Sequence, residues 1–223
     1  MPRPRTIEDA QVLEATHRVI SRLGPARFTL ADVAREAGLS PATLVQRFGS
    51  KRGLLLALAK AGVESVQACF DVIRAQHPSP LAALLAAATW MTQFTKTPEE
   101  MANHLAYLQI DISDPEFRAL FVKNSDLILA GYRALFDEAV AAGELVPCDT
   151  ARLARAVGAM SGGSLIAWAA YHQGPAEAWV LEDLATLLDP YRPATGRRAG
   201  RVGRGRTRRR PLAAIRGRRA RGR

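Results

Sequence analysis

The chain has 223 residues, 48% of them hydrophobic, and a formal net charge of +10, which is enough length and apolar content for one large or two small helical domains with a real core. Its two cysteines, Cys69 and Cys148, lie far apart in no metal-like spacing, so two reduced, part-buried thiols are expected, with a disulfide or redox sensor as the alternative. No uninterrupted apolar run reaches the roughly 18–20 residues of a membrane span, and the N-terminal stretch MPRPRTIEDA lacks the apolar core of a secretory signal; the expected location is the cytoplasm.

The charge is unevenly spread. Residues 191–223 hold 14 arginines and no acid, residues 1–53 hold nine basic and five acidic side chains, and residues 54–190 hold eight basic and sixteen acidic ones. A basic head and a strongly basic tail, at 1–53 and 191–223, point to phosphate-rich partners, whereas the acidic middle does not.

Alanine and leucine dominate and strand-forming runs are scarce, so the expected class is all-α. A first helix is predicted over about 6–23, stopped by Gly24-Pro25. A second opens at Thr29, where Thr29 and Asp32 form a capping box, and ends at Gly38, which adopts the left-handed conformation cheaply. Ser40 then caps a third helix with Pro41 at its first position, and Gly49 ends it. A long fourth helix follows over about 51–76. The remaining segments are predicted at about 81–96, 98–111, 115–140, 149–172 and 175–189. From Arg192 onward the composition lacks the apolar surface to repay ordering entropy, so a disordered tail is expected.

The segment GLSPATLVQRFGSK, Gly38–Lys51, has the layout of a helix-turn-helix. At 100° per residue its short helix turns Leu44 and Phe48 inward with Pro41 near them. Ala42, Thr43 and Gln46 point outward, flanked by Val45 and Arg47. Such a face has low bulk, hydrogen-bonding capacity and no negative charge, which suits the major groove. Gln46 can exchange bonds with adenine, Arg47 can fork onto guanine or hold a phosphate, and Ala42, Thr43 and Val45 can touch thymine methyls or make apolar contact. Thr29, Ser40 and Lys51 stand near helix N-termini that favour phosphate, and Arg3 and Arg5 can reach the duplex from an N-terminal arm.

Residues from about 10 to 56 resemble the DNA-binding domain of the TetR family, the tetracycline-repressor-like regulators. The matching pieces are Phe28-Thr29-Leu30, Val33-Ala34, Ala37-Gly38-Leu39-Ser40, Thr43-Leu44, Phe48 and Ser50-Lys51. The chain departs from the family at Val45, where an aromatic residue is usual, and at Gln46 and Arg47, where a histidine or aromatic is usual.

The resemblance implies about nine helices: a three-helix DNA-binding head (1–53), a helical effector-binding and dimerisation domain (54–190) and, outside the family plan, the arginine-rich tail (191–223). It also implies a homodimeric regulator, usually a repressor, released from a palindromic double-stranded operator by a small-molecule effector. An effector pocket is expected among Trp90, Phe94, His104, Tyr107 and Trp168. Asp111 and Asp114 read as a helix end and a cap.

Helix eight carries Gly158, Ser161, Gly162, Gly163 and Ser164 as a packing surface, and Val180, Leu184, Leu187 and Leu188 of helix nine are expected to complete a dimer contact.

An enzyme is the weaker reading. No phosphate loop, dinucleotide fingerprint or zinc spacing is present, and Gly162-Gly163-Ser164-Leu165-Ile166 fails as a nucleophile elbow at its last position. No cofactor, metal or membrane partner is expected. A general nucleic-acid-coating protein acting through the tail is the remaining alternative.

Overall fold

The computed structural model describes residues 7–194. Arg3, Arg5 and all but the first four residues of the tail lie outside the described residues. Nine α-helices and two short 3-10 turns make up this part: α1 (Asp9–Arg27), α2 (Leu30–Ala37), α3 (Pro41–Phe48), α4 (Lys51–Gln76), α5 (Pro80–Thr89), α6 (Pro98–Ser113), α7 (Pro115–Ala141), α8 (Thr150–Tyr171) and α9 (Ala176–Leu188). The class is all-α, with the expected N-terminal helix-turn-helix.

Most boundaries fall where capping chemistry puts them. Thr29, Ser40, Ser50, Ser79 and Thr97 each accept a hydrogen bond from the backbone N–H of the third residue of the helix that follows, and each such cap is worth about 1 kcal/mol. Gly38 (φ 69°) closes α2 in the left-handed region. Helix five is shorter than predicted, because its axis tightens into a 3-10 turn at Trp90–Gln93, whose buried Thr92 bonds the Thr89 carbonyl at 2.7 Å. The expected break at Gly24-Pro25 is a kink: Gly24 is at φ 78°, ψ 158°, and the chain resumes a helical turn to Arg27.

Two buried clusters organise the helices. One joins Val12, Val19, Phe28, Val33, Leu44 and Leu54, and Phe117 from α7 also enters it. The larger one gathers apolar faces of α4 to α9, including Phe70, Leu84, Phe136, Val157, Trp168 and Leu184. An eight-residue helix such as α3 is marginal alone; here Leu44 is wholly buried, and docking of a leucine stabilises by about 2 kcal/mol.

By length and composition α4 would suffice to cross a membrane, with mean hydropathy 1.3 in its most apolar window, although no uninterrupted apolar run that long occurs. Lys60, Glu64 and Gln67 interrupt it on the exposed side, and Val63, Val66, Phe70 and Ile73 are buried against other helices.

On α9, Val180, Leu184 and Leu188 are fully buried within the chain's own core and Leu187 packs against it. Val180, Leu184 and Leu188, expected at a dimer contact, are spent within the chain on α5 and α8, whereas Leu187 is half-buried. The exposed face of α9 carries Ala178, Glu182 and Ala185 instead.

Candidate functional site

Two surfaces answer to the expected chemistry. The first is the outer face of α3. Ala42 and Gln46 are exposed, Val45 is 48% exposed, and Thr43 is half-buried with its Oγ1 2.8 Å from Ser40 Oγ. Leu44 faces inward and Phe48 packs against the same cluster. Pro41, expected near the inner face, is exposed at the first position of the helix.

The basic side chains around this face are engaged by the protein itself. Arg47 does not point to solvent as a free fork. Its Nε donates to Asp9 Oδ1 at 2.8 Å, its Nη1 donates to the Ile7 carbonyl at 2.8 Å, and its Nη2 also pairs with Asp9. Lys51 Nζ donates to the Phe28 carbonyl at 2.7 Å and the Ala26 carbonyl at 3.1 Å, over the Phe28 ring, and burial pushes its pKa down. It caps the carbonyls beyond the kink of α1. Thr29 donates from its hydroxyl to Asp32 Oδ2 at 2.7 Å. That bond, with one from the Thr29 backbone, holds the Asp32 carboxyl below its usual range, so a carboxylate already sits at the N-terminus of α2. Arg52 pairs with Asp114 and Glu116, joining the starts of α4 and α7. The uncommitted polar side chain facing outward on α3 is therefore Gln46.

The second surface is a cavity of ≈ 410 Å³ among α1, α4, α6, α7 and α8. His104 and Tyr107 line it, as expected. Trp90, Phe94 and Trp168 do not appear in its wall. Trp168 is buried core, its Nε1 donating to the Gly174 carbonyl at 2.9 Å, and Trp90 and Phe94 stack edge to face with each other at 5.9 Å. An aromatic at helical spacing fits a core or a pocket equally well, and the sequence could not separate them.

The wall also holds residues that sequence reasoning passed over. His17 and Ser21 come from α1 and Asn124 from α7, while Asp111, read as a helix end, projects from α6 one face-repeat beyond His104 and Tyr107. The spacing of Met101, His104, Leu105, Leu108 and Asp111 marks one helical face, and His17 with Ser21 forms a polar i,i+4 pair beside apolar Ile20. Asp114, by contrast, is the expected cap of α7.

Polar contacts tie α1 to α6 at the edge of this cavity. His104 Nε2 lies 3.1 Å from Ser21 Oγ, His104 Nδ1 lies 3.1 Å from Thr95 Oγ1, and Asn103 Nδ2 donates to the Ser21 carbonyl at 2.7 Å. Burial lowers the pKa of both His17 and His104, aided at His17 by the Arg18 charge and at His104 by repulsion from His17, against an opposing pull from Glu100, so both are neutral near pH 7. Burial raises the Asp111 pKa to about 6 and raises that of Tyr107 as well, with a further push from Asp111.

The sequence profile of the bacterial regulatory proteins, tetR family, matches residues 12–58, which span most of α1, all of α2 and α3 and the start of α4. The HTH-type transcriptional regulator BetI of Agrobacterium fabrum is 31% identical over 158 residues, covering 70% of this chain and 73% of the relative. The chain belongs to the TetR family.

Another BetI, from Paraburkholderia xenovorans, is 32% identical over 139 residues, with 61% and 71% covered. Among solved structures, a TetR transcription regulator from Haloarcula marismortui superposes with a TM-score of 0.67 at 16% identity, covering 83% of this chain and 98% of the other. A putative regulator from Saccharomonospora viridis in complex with choline gives 0.65 at 19% identity, covering 81% and 95%. These likenesses fix the fold. Within this TetR-family regulator, α2 and α3 form the DNA-binding motif, and the cavity lies directly behind the helix that supports them.

Proposed function

We propose that this protein is a ligand-responsive transcriptional repressor that binds a palindromic operator in the cytoplasm as a homodimer, with residues 1–53 as the DNA-binding head and 54–190 as the effector and dimerisation domain. The observation that carries the reading is the shared wall: His17, Ile20 and Ser21 belong to α1, which packs under α2 and α3, and they line a cavity of ≈ 410 Å³, a volume in the range of small-molecule sites. A ligand there touches the DNA-binding head itself.

Ala42, Thr43, Val45 and Gln46 read the major groove, and Ser40 and Pro41 present the free N–H end of α3 to a phosphate. Arg47, Lys51 and Thr29 contribute chiefly by bracing α3 and its neighbours, and an incoming phosphate would have to compete with their present partners. One short helix reads few base pairs, so two copies about 34 Å apart are needed for useful specificity. The exposed strip of α8 at Gly162, Gly163 and Ile166, where a side chain added at either glycine would meet nothing, suits close approach of a second copy. Two solved structures of the same fold are complexes with choline and with stearoyl-CoA, so ligand binding within this architecture is precedented.

The test is selection of a binding site from random DNA, followed by fluorescence anisotropy on the selected palindrome and a scrambled control, with and without a ligand that fills the cavity. Preference for the palindrome, two protomers per duplex and weaker binding with ligand are expected. Equal affinity for both duplexes refutes the DNA reading; equal affinity with and without bound ligand refutes the coupling.

A further inference from the structure

If the ≈ 410 Å³ cavity is the effector site, its lining also restricts the chemical class of effector. Leu58, Met91, Leu105, Leu120, Phe121 and Leu165 give it an apolar wall, and Met91, Leu105 and Phe121 are themselves 45%, 37% and 36% exposed, so the mouth is apolar too. No lysine or arginine lines it, and Asp111 is its one carboxylate. The two imidazoles that share the wall, His17 and His104, are neutral.

We propose that the cavity takes a hydrophobic cation, an amine or quaternary ammonium whose charge lies against Asp111 and the Tyr107 ring while its hydrocarbon body extends along α6 toward His104. Tyr107 is one helical turn before Asp111 on the same face of α6, and both Tyr107 and Phe121 line the cavity, so a cation there has aromatic rings in the same wall for cation–π attraction. An anionic ligand would meet a carboxylate with no cation to hold it. A neutral one would leave Asp111 without a counter-charge, and among the described residues Asp111 makes no ion pair. Desolvation without a partner is what raises its pKa, and a bound cation would reverse that cost.

Length is set by the helix: His104 and Asp111 are seven residues apart, or ~10 Å at 1.5 Å per residue. The volume admits roughly a dozen water-sized groups at about 30 Å³ each, more than an ammonium head alone. The eight-acid excess of residues 54–190 adds a potential that favours cations.

Isothermal titration of the full chain at pH 7.5 with octyltrimethylammonium, octanol and octanoate tests the inference. The cation should bind at least ten-fold tighter than either of the others. Asp111→Asn should reduce cation affinity about ten-fold and leave octanol unchanged, while Asp111→Glu should keep the preference. Leu108→Trp, which fills the cavity, should abolish binding of cation and octanol alike and reports what the rest of the chain binds. Thermal unfolding checks that each variant is folded. Octanol or octanoate binding as tightly as the cation, or a preference that survives Asp111→Asn, overturns the cationic class while leaving the cavity as a site. Absence of any binding that Leu108→Trp removes overturns the effector-site reading on which the class depends.

Discussion

Ser21 Oγ on α1 lies 3.1 Å from His104 Nε2 on α6, so the helix that supports the DNA-reading motif is hydrogen-bonded to the wall of the cavity. If this bond couples the two, Ser21→Ala and His104→Ala will be non-additive. A double-mutant cycle by denaturant unfolding should give a coupling of about 0.5–1.5 kcal/mol. Strict additivity would mean the contact carries no energy.

The two imidazoles set an acid sensitivity. Their folded-state pKa values lie below the ordinary 6.5, so the neutral forms stabilise the fold fully above pH 6.5, and that stability is lost as pH falls through the lowered values. A melting-temperature series from pH 7.5 to 5 should show a decline that His104→Asn makes shallower, with His17 left as the remaining contributor on α1.

Asp111 acts with the opposite sign. Its carboxyl is raised from 3.8 to about 6, so the protonated form is favoured in the fold and stability is lost as pH rises from about 4 to 6. The titratable groups around it are Tyr107, His104 and His17, none charged at neutral pH. Asp111→Asn should therefore raise the melting temperature at pH 7.5, and the gain should vanish near pH 4. A variant that melts lower at pH 7.5 would contradict the assignment.

Gly24 cannot be replaced cheaply. Its φ of 78° disfavours a side chain, and an added Cβ would stand 2.4 Å from Asn103 Oδ1, displacing the amide that bonds the Ser21 carbonyl. Gly24→Ala should cost about 1–3 kcal/mol in unfolding free energy. A loss under 0.5 kcal/mol would show that Asn103 moves aside freely.

Gln46 and Arg47 should separate specificity from stability. Gln46→Ala, at an exposed position, should leave unfolding within about 0.5 kcal/mol but weaken or relax operator choice by about 1–3 kcal/mol at one base pair. Arg47→Ala should lower stability as well, since it releases Asp9 and the Ile7 carbonyl together. Unchanged operator preference in Gln46→Ala would remove it from the reading face.

The arginine-rich C-terminal segment has a separate test. Cutting after Pro193 should weaken binding to random DNA and reduce its salt slope, with operator preference intact. An unchanged slope would assign the segment no part in DNA binding.

The all-α class, the helix-turn-helix and nearly every helix boundary were legible in the residues, because caps, glycine stops and 3.6-residue periodicity are local physics. Thr29 with Asp32, Gly38 and Ser40 act within four residues of themselves and need no distant partner. The inward turn of Leu44 and the outward turn of Gln46 follow from the same periodicity.

What tertiary structure decided was which side chains meet across long stretches of chain. Arg47 found Asp9, Lys51 found the carbonyls at Ala26 and Phe28, and the apolar stripe of α9 was consumed by its own core. The cavity drew His17 and Asp111 and left out Trp90, Phe94 and Trp168. A hydrophobic stripe is attracted to any apolar surface and a cation to any acceptor, so neither names its partner in one dimension; only the packed arrangement of α1 against α6 selects it.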